Sequence, residues 1–92
     1  MNTAPHAQAS FYRTSNGAEV DLVLEFRNGQ TWVIDIKRST APTVSKGFYL
    51  AAADLRATRK LLVAPVEKPY PMKESIEVIG PLMAARLVGE ET

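Results

Sequence analysis

The sequence predicts a small α/β domain, a mixed β-sheet with at least one helix lying across it. Two runs, EVDLVLEF (residues 19–26) and TWVIDIKR (residues 31–38), are rich in β-branched and aromatic residues, and the turn signal RNGQ joins them. Val44, Phe48, Ala51 and Leu55 then recur at three- and four-residue intervals, the stripe of a helix with one buried face. RKLLVAPV (residues 59–66) follows as a short, largely buried strand, so strands bracket the helix.

Taken in order, residues 1–8 read as a tail, residues 9–88 as a single domain and residues 89–92 as a second tail. ASFYRTS forms a first short strand, and SNGA turns the chain, because Asn16-Gly17 tolerates positive backbone dihedrals. Within STAPTVSKGFYLAAADLRAT, Thr43 is the candidate helix cap after Pro42. Gly47 costs that helix roughly 1 kcal/mol of propensity relative to alanine, which close packing on the sheet would explain. EKPYPM is a proline-rich loop, SIEVIGPL a last strand, and LMAARLVGE a terminal helical turn or two. The element order is β-β-β-α-β followed by a strand and a short helix.

Sidedness sets the register of the second hairpin. A two-residue Asn28-Gly29 loop pairs Arg27 with Gln30 and mixes polar and apolar residues on both faces. A three-residue loop, Asn28 to Gln30, pairs Arg27 with Thr31 and places Leu22, Leu24 and Phe26 across from Ile36, Ile34 and Trp32. The other face then carries Asp21 across from Lys37, Val23 across from Asp35 and Glu25 across from Val33. Gly29 stands one residue early for the simplest such loop, which points to a bulge nearby.

The composition narrows the function classes. The 92 residues suffice for one small domain, and 11 basic residues against 10 acidic ones give a formal charge of +1, without the excess of a basic nucleic-acid binder. There is no cysteine, and His6 is the single histidine, so disulfide frameworks and thiolate or histidine-rich zinc sites are excluded. No apolar run reaches membrane-spanning length, and MNTAPHAQAS has neither a basic start nor an apolar signal core, so a cytoplasmic protein without a membrane partner is expected.

Asp21, Asp35 and Lys37 then need a reason, because acids interrupt both apolar strands. Two carboxylates with several waters suit magnesium or manganese. Such a cation polarises a phosphodiester and acidifies a bound water, and Lys37 beside it would orient or deprotonate that water or stabilise phosphate charge. The backbone carbonyl of Ile36 offers a further oxygen. Glu19, two residues before Asp21, offers another ligand or tunes the field. The alternative is a solvated hairpin face, with Asp21 and Lys37 as a cross-strand ion pair worth a few tenths to about 1 kcal/mol. The position of Asp35 between Ile34 and Ile36 favours the site, since a buried carboxylate needs a partner, a metal or a proton.

The pattern GAEVDLVLEF…TWVIDIKRS resembles the core of the PD-(D/E)XK nuclease superfamily, an acid on one hairpin strand and an acid-x-lysine triplet on the next. The resemblance implies a restriction-endonuclease-like mixed sheet, with Asp21, Asp35 and Lys37 as catalytic residues, Asp21, Asp35 and Ile36 as metal ligands, and Mg2+ or Mn2+ as cofactor. More closely, FYRTSNGAEVD, IDIKRS, RKLLVAP and YPMKESIEVIGPL are similar to a C-terminal domain of unknown function that follows an AAA-type ATPase module in prokaryotic proteins, from about Phe11 to Leu87. Two departures stand out. No helix-forming segment precedes Phe11 where the superfamily core begins with a helix, and no GxxxxGK[ST] loop occurs. The missing helix implies a sheet face left uncovered, through which the chain would self-associate as a dimer.

Arg13 matches the family's arginine and could pair with Glu19 or Asp21 or contact phosphate. Ser39 and Lys46 follow Lys37 closely enough to support it. Arg38, Arg56, Arg59 and Lys60 are candidate contacts to a DNA backbone, or else a solvated helix face and its end. Among the aromatics, Phe11, Tyr12, Phe48, Tyr49 and Trp32 are candidate stacking platforms, with Trp32 and Phe48 better suited to the core. Two functions follow: a Mg-dependent nuclease-like domain acting on DNA, or an inactive nucleic-acid-binding or oligomerisation domain, the remnant of an ATPase-linked protein.

Overall fold

The computed structural model describes residues 7–92, so His6 and the first six residues of the expected tail lie outside it. The elements are strand β1 (Ala7–Arg13), β2 (Glu19–Phe26), β3 (Thr31–Ile36), helix α1 (Lys46–Asp54), β4 (Arg59–Val63), β5 (Tyr70–Pro71), β6 (Ile76–Ile79) and helix α2 (Pro81–Glu91). The strands form one six-stranded sheet in the order β1-β2-β3-β4-β6-β5. β1, β2 and β3 form an antiparallel meander, β3, β4 and β6 are parallel, and β5 returns antiparallel on β6. The chain is therefore a mixed α/β fold with a helix inserted between parallel strands, as the sequence predicts. Ala7 and Gln8 belong to β1 and residues 89–91 to α2, so the ordered elements extend beyond residues 9–88 at both ends.

The hairpin register corrects the expectation by two residues. The loop is Arg27 to Gly29, closed by the Phe26 amide on the Gln30 carbonyl at 2.9 Å and the Gly29 amide on the Phe26 carbonyl at 3.0 Å. Gly29 takes φ 92°, the left-handed value that the last residue of such a loop needs. Leu22 therefore faces Ile34, Val23 faces Val33 and Leu24 faces Trp32. A shift of two residues leaves Leu22 to Phe26 and Trp32 to Ile34 on their expected faces.

Each face of the sheet has its own core. On one, Val20, Val23, Val33, Leu62 and Val78 meet Phe48, Ala51 and Ala52 of α1. Ser45, not Thr43, caps α1: its Oγ accepts the Phe48 amide at 3.1 Å, whereas Thr43 is exposed. A Cβ on Gly47 would stand 2.7 Å from the Gly17 carbonyl oxygen, so the glycine lets the helix start settle onto the beginning of β2.

On the other face, Leu24, Phe26, Trp32, Ile34, Leu61 and Ile79 pack against Met83, Ala84, Leu87 and Val88 of α2. The expected uncovered face thus carries a helix over part of its area, supplied from the C-terminal side. Trp32 ties the two together. Its Nε1–H donates to Gln30 Oε1 at 2.8 Å, and Gln30 Nε2 and Asn28 Nδ2 each donate to Glu91 Oε1 at 2.9 Å. Beyond α2 this face remains open at Phe11 and Ile36, 78% and 61% exposed. Among the described residues no helix is long and apolar enough to cross a membrane.

Candidate functional site

The regular rungs between β2 and β3 run from Glu25 and Thr31 to Leu22 and Ile34 and end there. Asp21 and Asp35 come level at the next position, where the expected facing pairs were Asp21 with Lys37 and Val23 with Asp35. On the other side of β2, Ser10 pairs with Val23 and Tyr12 with Val20, so Asp21 and Leu22 together oppose Phe11. This is a β-bulge, which re-aims side chains where it interrupts a ladder. Its effect shows in the core: Val20 and Val23, three residues apart, both lie on the α1 face.

The bulge brings the carboxylates into reciprocal bonds across the hairpin. The Asp21 amide donates to Asp35 Oδ1 at 3.0 Å, and the Ile36 amide donates to Asp21 Oδ2 at 2.9 Å. Asp35 is only 6% exposed, the one charged residue buried among those described. Lys37 Nζ lies 3.5 Å from Asp35 Oδ2, and the Lys37 amide is fixed to the Val63 carbonyl of β4 at 2.8 Å. Burial pushes the Asp35 carboxyl above its ordinary pKa. The Asp21 amide pulls it back, the Asp21 carboxylate pushes it up again and the Lys37 ammonium pulls it down, with a net upward result.

The donor set suits a hard divalent cation. Asp21 Oδ1 and Asp35 Oδ2 are the two carboxylate oxygens not engaged by these amides. Ile36, between Asp35 and Lys37, lies beyond the last regular rung. Among the described residues no group of three or more His, Cys, Asp or Glu side chains comes together. Two carboxylate side chains are the set a magnesium-like ion that keeps several waters would require.

The remaining expected site residues divide. Glu19 Oε2 pairs with Arg13 on β1 at 3.1 Å, so Arg13 takes Glu19 as its partner. Ser39 Oγ accepts the Ala41 amide at 3.0 Å and shapes the loop after Lys37. Lys46 begins α1 beside Gly47, at the Glu19 end of β2, and is exposed, as is Arg38. Arg56, Arg59 and Lys60 lie elsewhere. Because β3 and β4 are parallel, Arg59 is level with Trp32 and Lys60 with Val33, roughly 10 Å or more along the strands from Lys37. Arg59 pairs with Glu77 at 3.0 Å and lies 5.1 Å over the Trp32 ring. Sequence reasoning missed the backbone partners, the amides of Asp21 and Ile36 and the carbonyl of Val63. Every residue type but proline carries both groups, so only the register reveals them.

Two curated mycobacterial proteins, "Uncharacterized protein Mb2031c" of Mycobacterium bovis and "Uncharacterized protein Rv2008c" of Mycobacterium tuberculosis, are each 30% identical to this chain over 69 residues. The match covers 75% of this chain and 15% of each relative, so the chain spans a small part of the relatives' length. No solved structure matches. Residues 1–84, which include every described strand, α1 and the acidic pair, match the family described as "Domain of unknown function (DUF4143)", and the chain belongs to that family.

Proposed function

We propose that the Asp21–Asp35–Lys37 cluster is a Mg2+- or Mn2+-dependent site acting on DNA phosphodiesters, in a nuclease-like domain of the restriction-endonuclease-like type. The observation that supports it is a buried carboxylate, Asp35, held beside a second carboxylate at the splayed end of a hairpin, with the Lys37 ammonium 3.5 Å away. Burying a charge next to a like charge is unfavourable, and a fold keeps that arrangement where function needs it. Asp21 Oδ1, Asp35 Oδ2 and the Ile36 carbonyl would hold the cation, whose contribution is to polarise the phosphodiester and acidify a bound water. Lys37, anchored through Val63, places a positive charge where the phosphate gains negative charge. Arg38 and Lys46, both exposed, supply nonspecific attraction for a backbone.

A second reading has its own observation. Each carboxylate already accepts a backbone amide from across the hairpin. That reciprocal clasp would by itself hold the bulge together in a non-catalytic binding or oligomerisation domain.

Cleavage of labelled single- and double-stranded DNA with Mg2+ or Mn2+ separates the two. The site reading expects cation-dependent products, reduced about a hundredfold or more in Lys37→Ala. Absence of cleavage, or cleavage unchanged in that variant, leaves the clasp.

A further inference from the structure

We propose that β1 is a self-association edge: a second copy of this chain pairs antiparallel along it, centred on Ser10, and joins the two sheets into one. Pairing at this sheet edge is independent of the cation site.

Among the described residues β1 is an outer strand of the sheet and pairs only with β2. Alternate amides and carbonyls along its seven residues therefore face outward with no described strand to receive them. The usual protections of an edge are missing here. Ala7 to Tyr12 contains no charge and no proline, and the bulge beside Phe11 puts its extra residue in β2, leaving β1 regular. Gln8, Ala9, Ser10 and Phe11 are exposed in succession, Phe11 by 78%. The opposite edge is built the other way. β5 has two residues, one of them Pro71, and follows Pro69. Among the described residues each copy thus has a single open edge, and pairing one with another stops at two.

The strand also suits its own reverse. Centring on Ser10 is the one register that pairs all seven residues. Ala7 then meets the partner's Arg13, Gln8 its Tyr12, Ala9 its Phe11, and the two Ser10 residues meet each other. No like charges face one another, and the Arg13 charge is already matched by Glu19 at 3.1 Å. Each Phe11 covers the partner's Ala9, and the two phenyl rings lie on the same face, diagonal neighbours across the seam.

Sedimentation of the full chain from micromolar to hundreds of micromolar tests this, with Phe11→Lys and Ala9→Lys as variants and Trp32 emission as the control for folding. The wild type is expected to form a dimer whose β1 amides are protected from hydrogen exchange. Each lysine variant is expected to weaken the dimer at least tenfold. Mixing Ala9→Lys with Phe11→Glu is expected to restore a heterodimer, because the centred register sets those two positions opposite. That arm decides the question even where Phe11→Lys alone misfolds. A wild type that stays monomeric throughout overturns the proposal. So does a dimer that both lysine variants leave intact, or a mixture that does not associate.

Discussion

Asp35 carries the cost of the site in a single residue. Its carboxyl is buried, and its pKa lies above the ordinary value because burial outweighs the help from the Asp21 amide and Lys37. The folded chain therefore holds that proton more tightly than the unfolded chain, whose aspartate titrates at about 3.9. Between the two values folding takes up a proton, so stability falls as pH rises through that window and the loss is complete above the folded-state pKa. Asp35→Asn keeps an acceptor for the Asp21 amide and removes the buried charge. In metal-free buffer near neutral pH it is expected to raise Tm by several degrees, on the order of 1 kcal/mol. The gain should vanish in melts run below about pH 3.9. A Tm lowered at neutral pH would make the ionised carboxylate a structural need and favour the clasp.

At the scale of elements, two glycines in helices should respond in opposite directions to alanine. A Cβ at Gly47 meets the Gly17 carbonyl oxygen at 2.7 Å, and backbone there has little room to yield. Gly47→Ala is expected to cost about 1–3 kcal/mol in denaturant melts despite its gain in propensity. Gly89 in α2 has nothing within 4 Å of the same position, and Gly89→Ala is expected to stabilise by up to about 1 kcal/mol. Ser45→Ala should cost about 1 kcal/mol through the lost cap, with Thr43→Ala near neutral. These elements show where the sequence was legible. The alternation of EVDLVLEF against TWVIDIKR gave the faces of the hairpin, but two three-residue loops one position apart give the same faces, and only the dihedral need of Gly29 separates them. The bulge at Asp21 and Leu22 was not readable, because its cause lies in the pairing with β1. Thr43 and Ser45 are both good caps by type, and the helix start on Gly17 chooses between them.

For the whole molecule, the parallel pairing of β3 with β4 decides which charges share an end of the sheet. It separates Arg59 and Lys60 from Lys37, a separation that no spacing along the sequence shows. The C-terminal helix was legible only as a turn or two, yet it covers Trp32 through the Gln30 and Glu91 bridge. Removing residues 81–92 should shift Trp32 emission to the red and lower Tm, and unchanged emission would contradict the packing of α2 on that face. The fold and the placement of Asp21, Asp35 and Lys37 leave one question above the rest, whether the paired carboxylates take a cation. Calorimetric titration of Mn2+ into the protein, with and without a short DNA, in wild type and Asp35→Asn, answers it most directly. Saturable binding is expected, tighter with DNA present and lost in Asp35→Asn. Binding absent under both conditions, or identical in the variant, would contradict it.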